Sequence, residues 1–402
     1  MAFNNIIKIS VRNLVEYVLR SGDIDTGFAS ASRALEGAYA HRKIQKSYAG
    51  RYTPEVTLSW IVENPDITLE IRGRADGIID ENSAIVLDEI KTTTGSLEQI
   101  DEESHPLFWA QARCYAFIYA QQNKLPGIQV QLTYYQLEDQ ETKIFRKYFS
   151  FDQLKEFFDD LIQRYLYWAR KIRDWNDLRD TTIKQVEFPF SSYRPGQREL
   201  AVSVYRSLLQ EKCLFAQAPT GIGKTLATLF PAVKALGEDH IEKIFYLTAR
   251  NTAAGLAEDT LERLRAAGLR FKAVTLTAKE KICFKDTCDC RPESCEFAKG
   301  HFDRVKDAIE DIFEHDALTR PIIETFARKH RVCPFEFALD LSLWADAVIG
   351  DYNYVFDPKV CLKRFFSEVT GRYVFLVDEA HNLVDRAREM FSAELTRQVF
   401  LD

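Results

Sequence analysis

A glycine-rich octapeptide, APTGIGKT at 218–225, constrains the fold of this 402-residue chain more than any other feature. It follows a short apolar run and precedes a helical pattern, which is the setting of a phosphate-binding loop. In such a loop, Gly221 and Gly223 let backbone N–H groups face the phosphates. Lys224 then reaches the β- and γ-phosphates, and Thr225 can hold Mg²⁺. The octapeptide therefore predicts an α/β domain with a nucleotide site.

A second motif, DEAH at 378–381, ends the apolar run YVFLV. Asp378 is expected to bind Mg²⁺ through water, and Glu379 to polarise the attacking water. A chance glycine-rich turn and a charged strand end are the alternative, which the order and setting of the two motifs disfavour. Short apolar runs that alternate with helical patterns predict a parallel sheet covered on both faces. These runs are 213–217, 243–248, 271–277, 346–351 and 373–378.

The segments around these motifs resemble the DinG/XPD-like helicases of superfamily 2 over about 190–402. The resemblance rests on YRPGQRELAVSVYRSL (193–208), YLTARNT (246–252) and GDYNYVFDP (350–358). It implies that Arg194 and Gln197 contact the base region of ATP and that 246–252 touches the DNA backbone. It also implies ATP-dependent movement 5′ to 3′ on single strands. Plain packing is the alternative role of the tyrosines in these segments, Tyr193, Tyr352 and Tyr354.

Superfamily 2 motors need two RecA-like domains, with ATP between them and an arginine finger from the second. The chain stops about twenty residues past the DEAH motif. We therefore expect the second RecA-like domain to be absent from these 402 residues. On that expectation, the fragment alone binds ATP weakly at best and does not unwind DNA.

Eight cysteines bear on the compartment and on a possible cofactor. No apolar run is long enough for a signal peptide or a membrane span, so we expect a cytoplasmic protein with reduced thiols. In that setting, clustered cysteines indicate metal or cluster ligands, or buried thiols, before disulfides. Four of them fall close together, at Cys283, Cys288, Cys290 and Cys295.

The helicase family inserts a four-cysteine [4Fe–4S] cluster between the motif that 246–252 resembles and the DEAH motif, and CEFAKG (295–300) and CPFEFA (333–338) resemble its flanking sequences. The insertion would occupy about 278–345, and thiolates are the ligands such clusters use. The resemblance implies the ligand set Cys283, Cys290, Cys295 and Cys333. The isolated position of Cys333 argues against the alternative, a Cys₄ zinc site, whose cysteines come in close pairs.

The choice between two neighbouring cysteines stays open. Cys288 could replace Cys290, although the CRPESC context favours Cys290. The remaining cysteines lie in or beside apolar stretches and are expected to be buried small hydrophobes. They are Cys114, Cys213 and Cys361.

The first half of the chain carries clustered carboxylates in GRADGII (73–79) and VLDEIKTT (86–93). On a strand, Glu89 and Lys91 share one face while Asp88 faces the other. Asp76 arrives from the preceding strand, so that two carboxylates and a lysine can converge. Carboxylates are the hard ligands that Mg²⁺ or Mn²⁺ requires, and the ion would activate water. A solvated, charged strand end is the alternative.

This pattern resembles the RecB-like branch of the PD-(D/E)XK nucleases over about 10–135. The resemblance implies catalytic roles for Asp76, Glu89 and Lys91, a metal ligand at His41, and a QxxxY motif. Gln111 and Tyr115 form that motif and share one helix face. Two departures stand out: the acidic position is doubled as Asp88-Glu89, and the cluster cysteines of many relatives are absent.

The periodicity on either side predicts a helix-flanked mixed sheet. Ser10 is a plausible N-cap of a helix whose apolar face includes Leu14 and Val18. We predict a nuclease-type domain at 1–178, a linker within 175–190, and a first RecA-like domain at 179–402. At roughly 150 residues a domain, the length allows two or three.

The two resemblances together indicate a DNA-processing nuclease–helicase that acts on single-stranded or forked DNA and needs no membrane. The net charge of −7 excludes a globally basic nucleic-acid binder but not a local groove. The run RKIQKSYAGR (42–51) could follow phosphates or be a solvated helix face. Two alternatives stay open for the first domain: a catalytically silent platform that loads the helicase onto DNA, or a partner-docking unit. The preferred DNA structure, exo- or endonuclease mode, pathway and oligomeric state are also open.

Overall fold

The computed structural model describes residues 6–24, 34–48, 50–81, 84–249, 251–366 and 371–392. Within these ranges the chain forms two β-sheets with helices on their faces. The strands are β1 (Ile6–Ser10), β2 (Tyr52–Glu63), β3 (Thr68–Asp80), β4 (Ile85–Thr93), β5 (Gly127–Gln136), β6 (Thr142–Ser150), β7 (Lys243–Thr248), β8 (Ala273–Thr275), β9 (Ala317–Leu318), β10 (Ala347–Asp351) and β11 (Tyr373–Val377). The helices are α1 (Val11–Leu19), α2 (Ala34–Ser47), α3 (Pro106–Asn123), α4 (Phe151–Gln185), α5 (Gln197–Leu209), α6 (Lys224–Gly237), α7 (Asn251–Ala266), α8 (Lys279–Ile282), α9 (His301–Ile312), α10 (Arg320–His330), α11 (Pro334–Trp344), α12 (Asn353–Phe356), α13 (Lys363–Phe366) and α14 (Leu383–Phe391).

The first sheet is mixed, as the sequence predicts. Its order is β1-β3-β4-β5-β6, with β2 antiparallel to β3. β1 pairs parallel with β3, and β4 parallel with β5, whereas β3–β4 and β5–β6 are antiparallel. The helix α1 begins where expected, because the Ser10 side chain accepts the backbone N–H of Asn13. Its apolar face is buried.

The second sheet is parallel throughout, in the order β11-β7-β10-β8-β9. Four of the five predicted strands are confirmed, although β8 is shorter than the apolar run 271–277. The strand predicted at 213–217 is wrong, since these described residues form none. Phe215 is 93% exposed there. An apolar run forms a strand only where a neighbour pairs with it, and 213–217 has none.

The cysteines outside the insertion have three different environments. Cys114 is fully buried in the first core, as predicted. Cys213 is exposed, so its predicted burial is wrong, because it belongs to the unpaired run 213–217. Cys361 is half-buried.

The helix α4 replaces most of the linker predicted within 175–190, because it continues without interruption to Gln185. The apolar periodicity ends earlier, but Trp175 and Ile183 are buried against the second half. Trp168 packs edge-to-face on Phe313 and Trp344, with ring centroids 4.9 and 5.4 Å away. A single apolar core therefore contains side chains of both halves.

Buried charges reinforce the same junction. Asp346, at the start of β10, accepts hydrogen bonds from Trp175 at 3.2 Å, Arg179 at 2.8 Å and the backbone of Lys272 at 2.7 Å. Two of these donors lie on α4. The two halves are thus joined by a packed helix and a satisfied buried carboxylate. Within the ranges listed above, no helix is both long and apolar enough to cross a membrane.

Candidate functional site

The strands β3 and β4 separate at the point where the carboxylates of the first half meet. Their antiparallel ladder ends at the pair Gly77↔Asp88. One residue beyond, the Asp76 carboxylate accepts the backbone N–H of Ile90 at 2.7 Å, in place of a ladder partner. This separation of β3 and β4 is called the fork below. The hydrogen bond within it fixes one oxygen of Asp76.

The sequence-predicted partners of Asp76 lie at the same fork. Lys91 donates to Glu89 at 2.7 Å and lies 3.5 Å from the Gln111 amide oxygen. Gln111 in turn donates to the Tyr115 hydroxyl at 3.2 Å, so the QxxxY pair supports the lysine from α3. We call His41, Asp76, Glu89, Lys91 and Gln111 the carboxylate site.

The helix α2 contributes the fifth side chain and docks on the fork. His41 Nδ1 lies 3.2 Å from an Asp76 carboxylate oxygen, and one turn later Gln45 donates to the Asp76 carbonyl. Burial disfavours the charged imidazole, but the hydrogen bond to Asp76 and the charges of Asp76 and Glu89 together outweigh it, and the pKa of His41 is raised. His41 therefore fixes the second oxygen of Asp76.

Electrostatic coupling unites these contacts into one site. Burial lowers the pKa of Lys91, but the nearby charges of Glu89 and Asp76 outweigh it, and the net pKa is raised. The Glu89 charge likewise acts on His41. Each carboxylate thus has a cationic or proton-donating neighbour, and Glu89 and Lys91 are both largely buried.

Asp88 and Glu89, the two acidic residues of the doubled position, lie in different environments. Asp88 faces away from Lys91 and accepts hydrogen bonds from Tyr52 at 3.0 Å, Gln131 at 3.0 Å and Thr133 at 2.6 Å. Burial raises the pKa of Asp88 to about 6 against the effect of these donors. Asp88 is therefore a structural carboxyl, and Glu89 is the one that faces Lys91.

Two glycines of the GRADG segment leave room for the rings around the fork. A Cβ on Gly77 would lie 1.9 Å from the Tyr52 ring, and one on Gly73 would lie 2.4 Å from the Tyr115 ring. Any side chain at these positions would displace the tyrosines, one of which binds Asp88 and the other Gln111. The glycines are thus needed for close approach, rather than for an unusual φ.

The nucleotide site is assembled at the start of α6. Gly221 and Gly223 have φ of 86° and 83°, in the left-handed region that glycine adopts without strain. Gln197 donates to the Gly223 carbonyl at 3.3 Å, and Arg194 donates to the Gly221 carbonyl. These two side chains thus brace the loop from the side.

The DEAH motif faces this loop across the sheet edge. Lys224 Nζ lies 2.9 Å from Glu379, and this hydrogen bond lowers the pKa of the Glu379 carboxyl. Burial, followed by the charge of Glu379, raises the pKa of Asp378. Tyr352, fully buried, donates to the Asp378 and Glu379 carbonyls, so its packing also holds the motif. Glu379 has a φ of 49°, the kind of backbone strain that concentrates at functional positions.

One pocket gathers the four cysteines that the family resemblance selects. Cys283, Cys290, Cys295 and Cys333 all line it, whereas Cys288 is exposed and does not. This arrangement favours Cys290 over Cys288. Cys333 is also the N-cap residue of α11, and burial raises the pKa of its thiol to about 12.

Side chains that the sequence did not single out lie in or beside this pocket. Lys279 lines it; burial lowers the pKa of its ammonium, but the hydrogen bond with Cys290 and the nearby charges of Cys290, Glu336 and Cys333 together raise it. Ile24, from the first half of the chain, packs on Cys295 and Cys333. A lysine four residues before a clustered cysteine could have drawn attention, but nothing in the local sequence marks Ile24.

Across the described ranges, no three His, Cys, Asp or Glu side chains are arranged to hold a single metal ion. The donor chemistry nevertheless fits two groups. Carboxylate oxygens at the fork suit Mg²⁺ or Mn²⁺, and four thiols around one pocket suit a cluster whose ligands bind different iron atoms.

Family models match overlapping ranges of the chain. The PD-(D/E)XK nuclease superfamily matches residues 11–216, slightly more than half of the chain. The DEAD/DEAH box helicase model matches residues 196–309, and DEAD_2 matches 269–400.

Curated relatives match about half of the chain or less. Regulator of telomere elongation helicase 1 from Homo sapiens is 26% identical over 266 residues, covering 52% of this chain and 21% of that protein. The general transcription and DNA repair factor IIH helicase subunit XPD from Arabidopsis thaliana is 26% identical over 246 residues, covering 53% and 32%. The Fanconi anemia group J protein homolog from Gallus gallus is 29% identical over 183 residues, covering 40% and 14%. The chain thus spans about a third or less of these relatives.

Among solved structures, the crystal structure of SSO0001 aligns with 40% of this chain and 78% of its own, at 16% identity and a TM-score of 0.26. That score is too low to establish a common fold.

Proposed function

The chain belongs to the PD-(D/E)XK nuclease superfamily and joins this domain to a DinG/XPD-like helicase domain, and from that premise we propose that it processes DNA. The first half, about 1–178, would be a metal-dependent deoxyribonuclease. The second, about 179–402, would be the first RecA-like domain of an ATP-dependent 5′–3′ DNA helicase. Single-stranded or forked DNA would be the substrate, and a cytoplasmic location stays a prediction.

The observation that carries the nuclease proposal is the convergence of side chains at the β3–β4 fork. Asp76 and Glu89 would bind Mg²⁺ or Mn²⁺, with His41 as a further ligand. When bound, that ion supplies a Lewis acid and a water of lowered pKa. Lys91 would orient the nucleophilic water and balance the negative charge that develops on the phosphate. Gln111 keeps Lys91 beside Glu89.

The helicase proposal rests on the ion pair between Lys224 of the phosphate-binding loop and Glu379 of the DEAH motif. In this chain the two side chains neutralise each other. ATP would separate them, because its γ-phosphate competes for Lys224 and leaves Glu379 to polarise water. Thr225 and Asp378 would hold the Mg²⁺ that accompanies ATP, and Gln197 would contact the base region.

The cysteine pocket supports a [4Fe–4S] cluster held by Cys283, Cys290, Cys295 and Cys333. When bound, such a group would brace the insertion about 278–345, as structural metal sites contribute to folding. Lys279 would place a positive charge beside the thiolates.

The nuclease is tested by incubating the purified chain with end-labelled single-stranded DNA and Mn²⁺ or Mg²⁺, beside Asp76→Ala. Asp139→Ala, an exposed carboxylate in the β5–β6 turn, is the matched control. Cleavage by the wild type and the control, but not by Asp76→Ala, would support the proposal. DNA binding without cleavage by any of the three would instead favour the silent platform that loads the helicase. Neither binding nor cleavage would favour a partner-docking unit.

A further inference from the structure

The first helix of the nuclease half ends against the cysteine-rich insertion. Arg20 is the C-cap of α1, and its guanidinium donates to Asp340 at 2.5 Å. The same guanidinium lies 4.0 Å over the Phe302 ring. Asp340 is almost fully buried and also accepts from Arg364 at 2.9 Å. This ion pair therefore joins the nuclease half to two elements of the other half.

The backbone after Arg20 then pairs with the loop that follows Cys295. Four hydrogen bonds link residues 20–24 to residues 298–303, two of them between backbones and two from backbone to side chain. They are Phe302 N to Gly22 O at 2.9 Å, Ile24 N to Ala298 O at 3.0 Å, Gly22 N to Asp303 Oδ1 at 2.8 Å, and Gly300 N to Asp23 Oδ1 at 2.6 Å. These four bonds therefore fix which residues of the two segments lie opposite each other.

Ile24 extends this contact to two of the four cysteines. It is 7% exposed and packs with Cys295, Ala298 and Cys333. His301, one residue before Phe302, is fully buried and accepts the backbone N–H of Cys333 at 3.1 Å. Two of the four pocket cysteines are therefore covered or held by residues that the nuclease half contacts.

We propose that residues Arg20–Ile24, here called the cap, cover the cysteine site from the side of Cys295 and Cys333. Ile24 packs against these two cysteines from outside the pocket lining, and the cap keeps solvent and oxidants from their thiols. Its role toward an iron–sulfur group rests on the proposed function above, whereas its cover of the thiols does not. Because the cap belongs to the nuclease half, filling the pocket and docking that half stabilise each other.

The cap is tested on the reduced, metal-free chain by measuring how fast a maleimide modifies each cysteine, with mass spectrometry to resolve the sites. Ile24→Asp places a charge against the thiols and should raise the modification rates of Cys295 and Cys333 about tenfold. Cys288 is already exposed, so its rate should stay unchanged. Ile61→Asp replaces an exposed isoleucine of the same half and should leave every rate unchanged.

A milder variant keeps the test decisive if Ile24→Asp does not fold. Asp23→Ala removes one hydrogen bond to the loop and should raise the same two rates about threefold. After reconstitution with iron and sulfide, visible absorbance should bleach faster in air in either cap variant than in the wild type. Unchanged rates at Cys295 and Cys333 in every folded cap variant would overturn the proposal. Protected thiols in a chain that takes up no iron would support the cap and overturn the cluster instead.

Discussion

The carboxylate site and the nucleotide site differ in how completely this chain builds them. At the carboxylate site, α2, α3, β3 and β4 all contribute, and Glu89 and Lys91 are only 4% and 20% exposed. At the nucleotide site, Lys224 and Glu379 are 33% and 47% exposed and are held chiefly by each other. Among the described strands, β11 has a neighbour on one side only.

This difference indicates which of the two sites is already arranged for its reaction within the described residues. Asp76 is fixed by the backbone N–H of Ile90 and by His41, and Glu89 is fixed by Lys91, so the geometry of the two carboxylates needs no ligand to form. The loop at Lys224 and the motif at Glu379 meet where both side chains are partly exposed to solvent. We therefore expect the nuclease half to act independently, whereas the nucleotide half depends on further contacts for hydrolysis.

The largest expected effect separates the two sites. Asp76→Asn should reduce metal-dependent DNA cleavage at least about a thousandfold, because it removes a ligand charge at the fork. It should leave the affinity for a fluorescent ATP analogue unchanged, whereas Lys224→Ala should weaken that affinity and spare cleavage. An equal loss of cleavage in Lys224→Ala would show that the sites are not independent.

The next effect concerns the junction that joins the two halves. Asp346→Ala removes the buried acceptor shared by Trp175, Arg179 and the Lys272 backbone, leaves Arg179 with Asp180 alone, and should lower the free energy of unfolding by about 3–5 kcal/mol. Asp66→Ala is the control, since it removes exposed ion pairs with Arg170 and Arg173 on the same helix and should lower the stability far less than Asp346→Ala. Urea unfolding followed by tryptophan fluorescence measures both. Equal midpoints for the two variants would mean that the buried network does not hold the halves together.

A smaller effect sharpens the role assigned to His41 within the carboxylate site. His41→Ala frees one oxygen of Asp76 and should slow cleavage about 10–100-fold, the range for residues that orient metal ligands. Higher Mn²⁺ should recover part of the rate, because the loss lies in metal affinity. If the rate stays as low as in Asp76→Asn at every Mn²⁺ concentration, His41 does more than hold the metal site.

The smallest effect tests the unpaired run 213–217 in the nucleotide half. Phe215→Ser should change the free energy of unfolding by less than about 0.5 kcal/mol, because that ring is in solvent. Phe245→Ala, in the fully buried β7, should cost about 3–5 kcal/mol. Thermal melts of the two variants provide the comparison. A large cost at Phe215 would mean that 213–217 is packed in solution.

Local sequence predicted those parts of the molecule that local physics determines. The helix α1 follows from Ser10 and the apolar spacing behind it, and β4 follows from alternation that sends Glu89 and Asp88 to opposite faces. The motif glycines likewise identified the nucleotide loop.

What the sequence did not predict depends on distant partners. Local sequence does not predict strands β1 and β6. β1 has only five residues, and in β6, at the sheet edge, the exposed side chains of Ile144 and Tyr148 obscure the alternation of apolar and polar residues. The run 213–217 is apolar but has no strand beside it. Ile24 packs against Cys295 and Cys333, which are far from it in the sequence, and no local pattern encodes such a contact.

The helix α4 has a consequence for any long substrate that both halves handle. It contains 35 residues, so it extends about 50 Å, and it is packed into both halves without a loop to serve as a hinge. The spacing between the two sites is thus a constant of the protein. If the chain draws a DNA strand past the nucleotide site and cuts it at the carboxylates, as we propose, that fixed spacing would act as a ruler. The fragment lengths would then report the dimensions of the protein rather than the base sequence of the DNA.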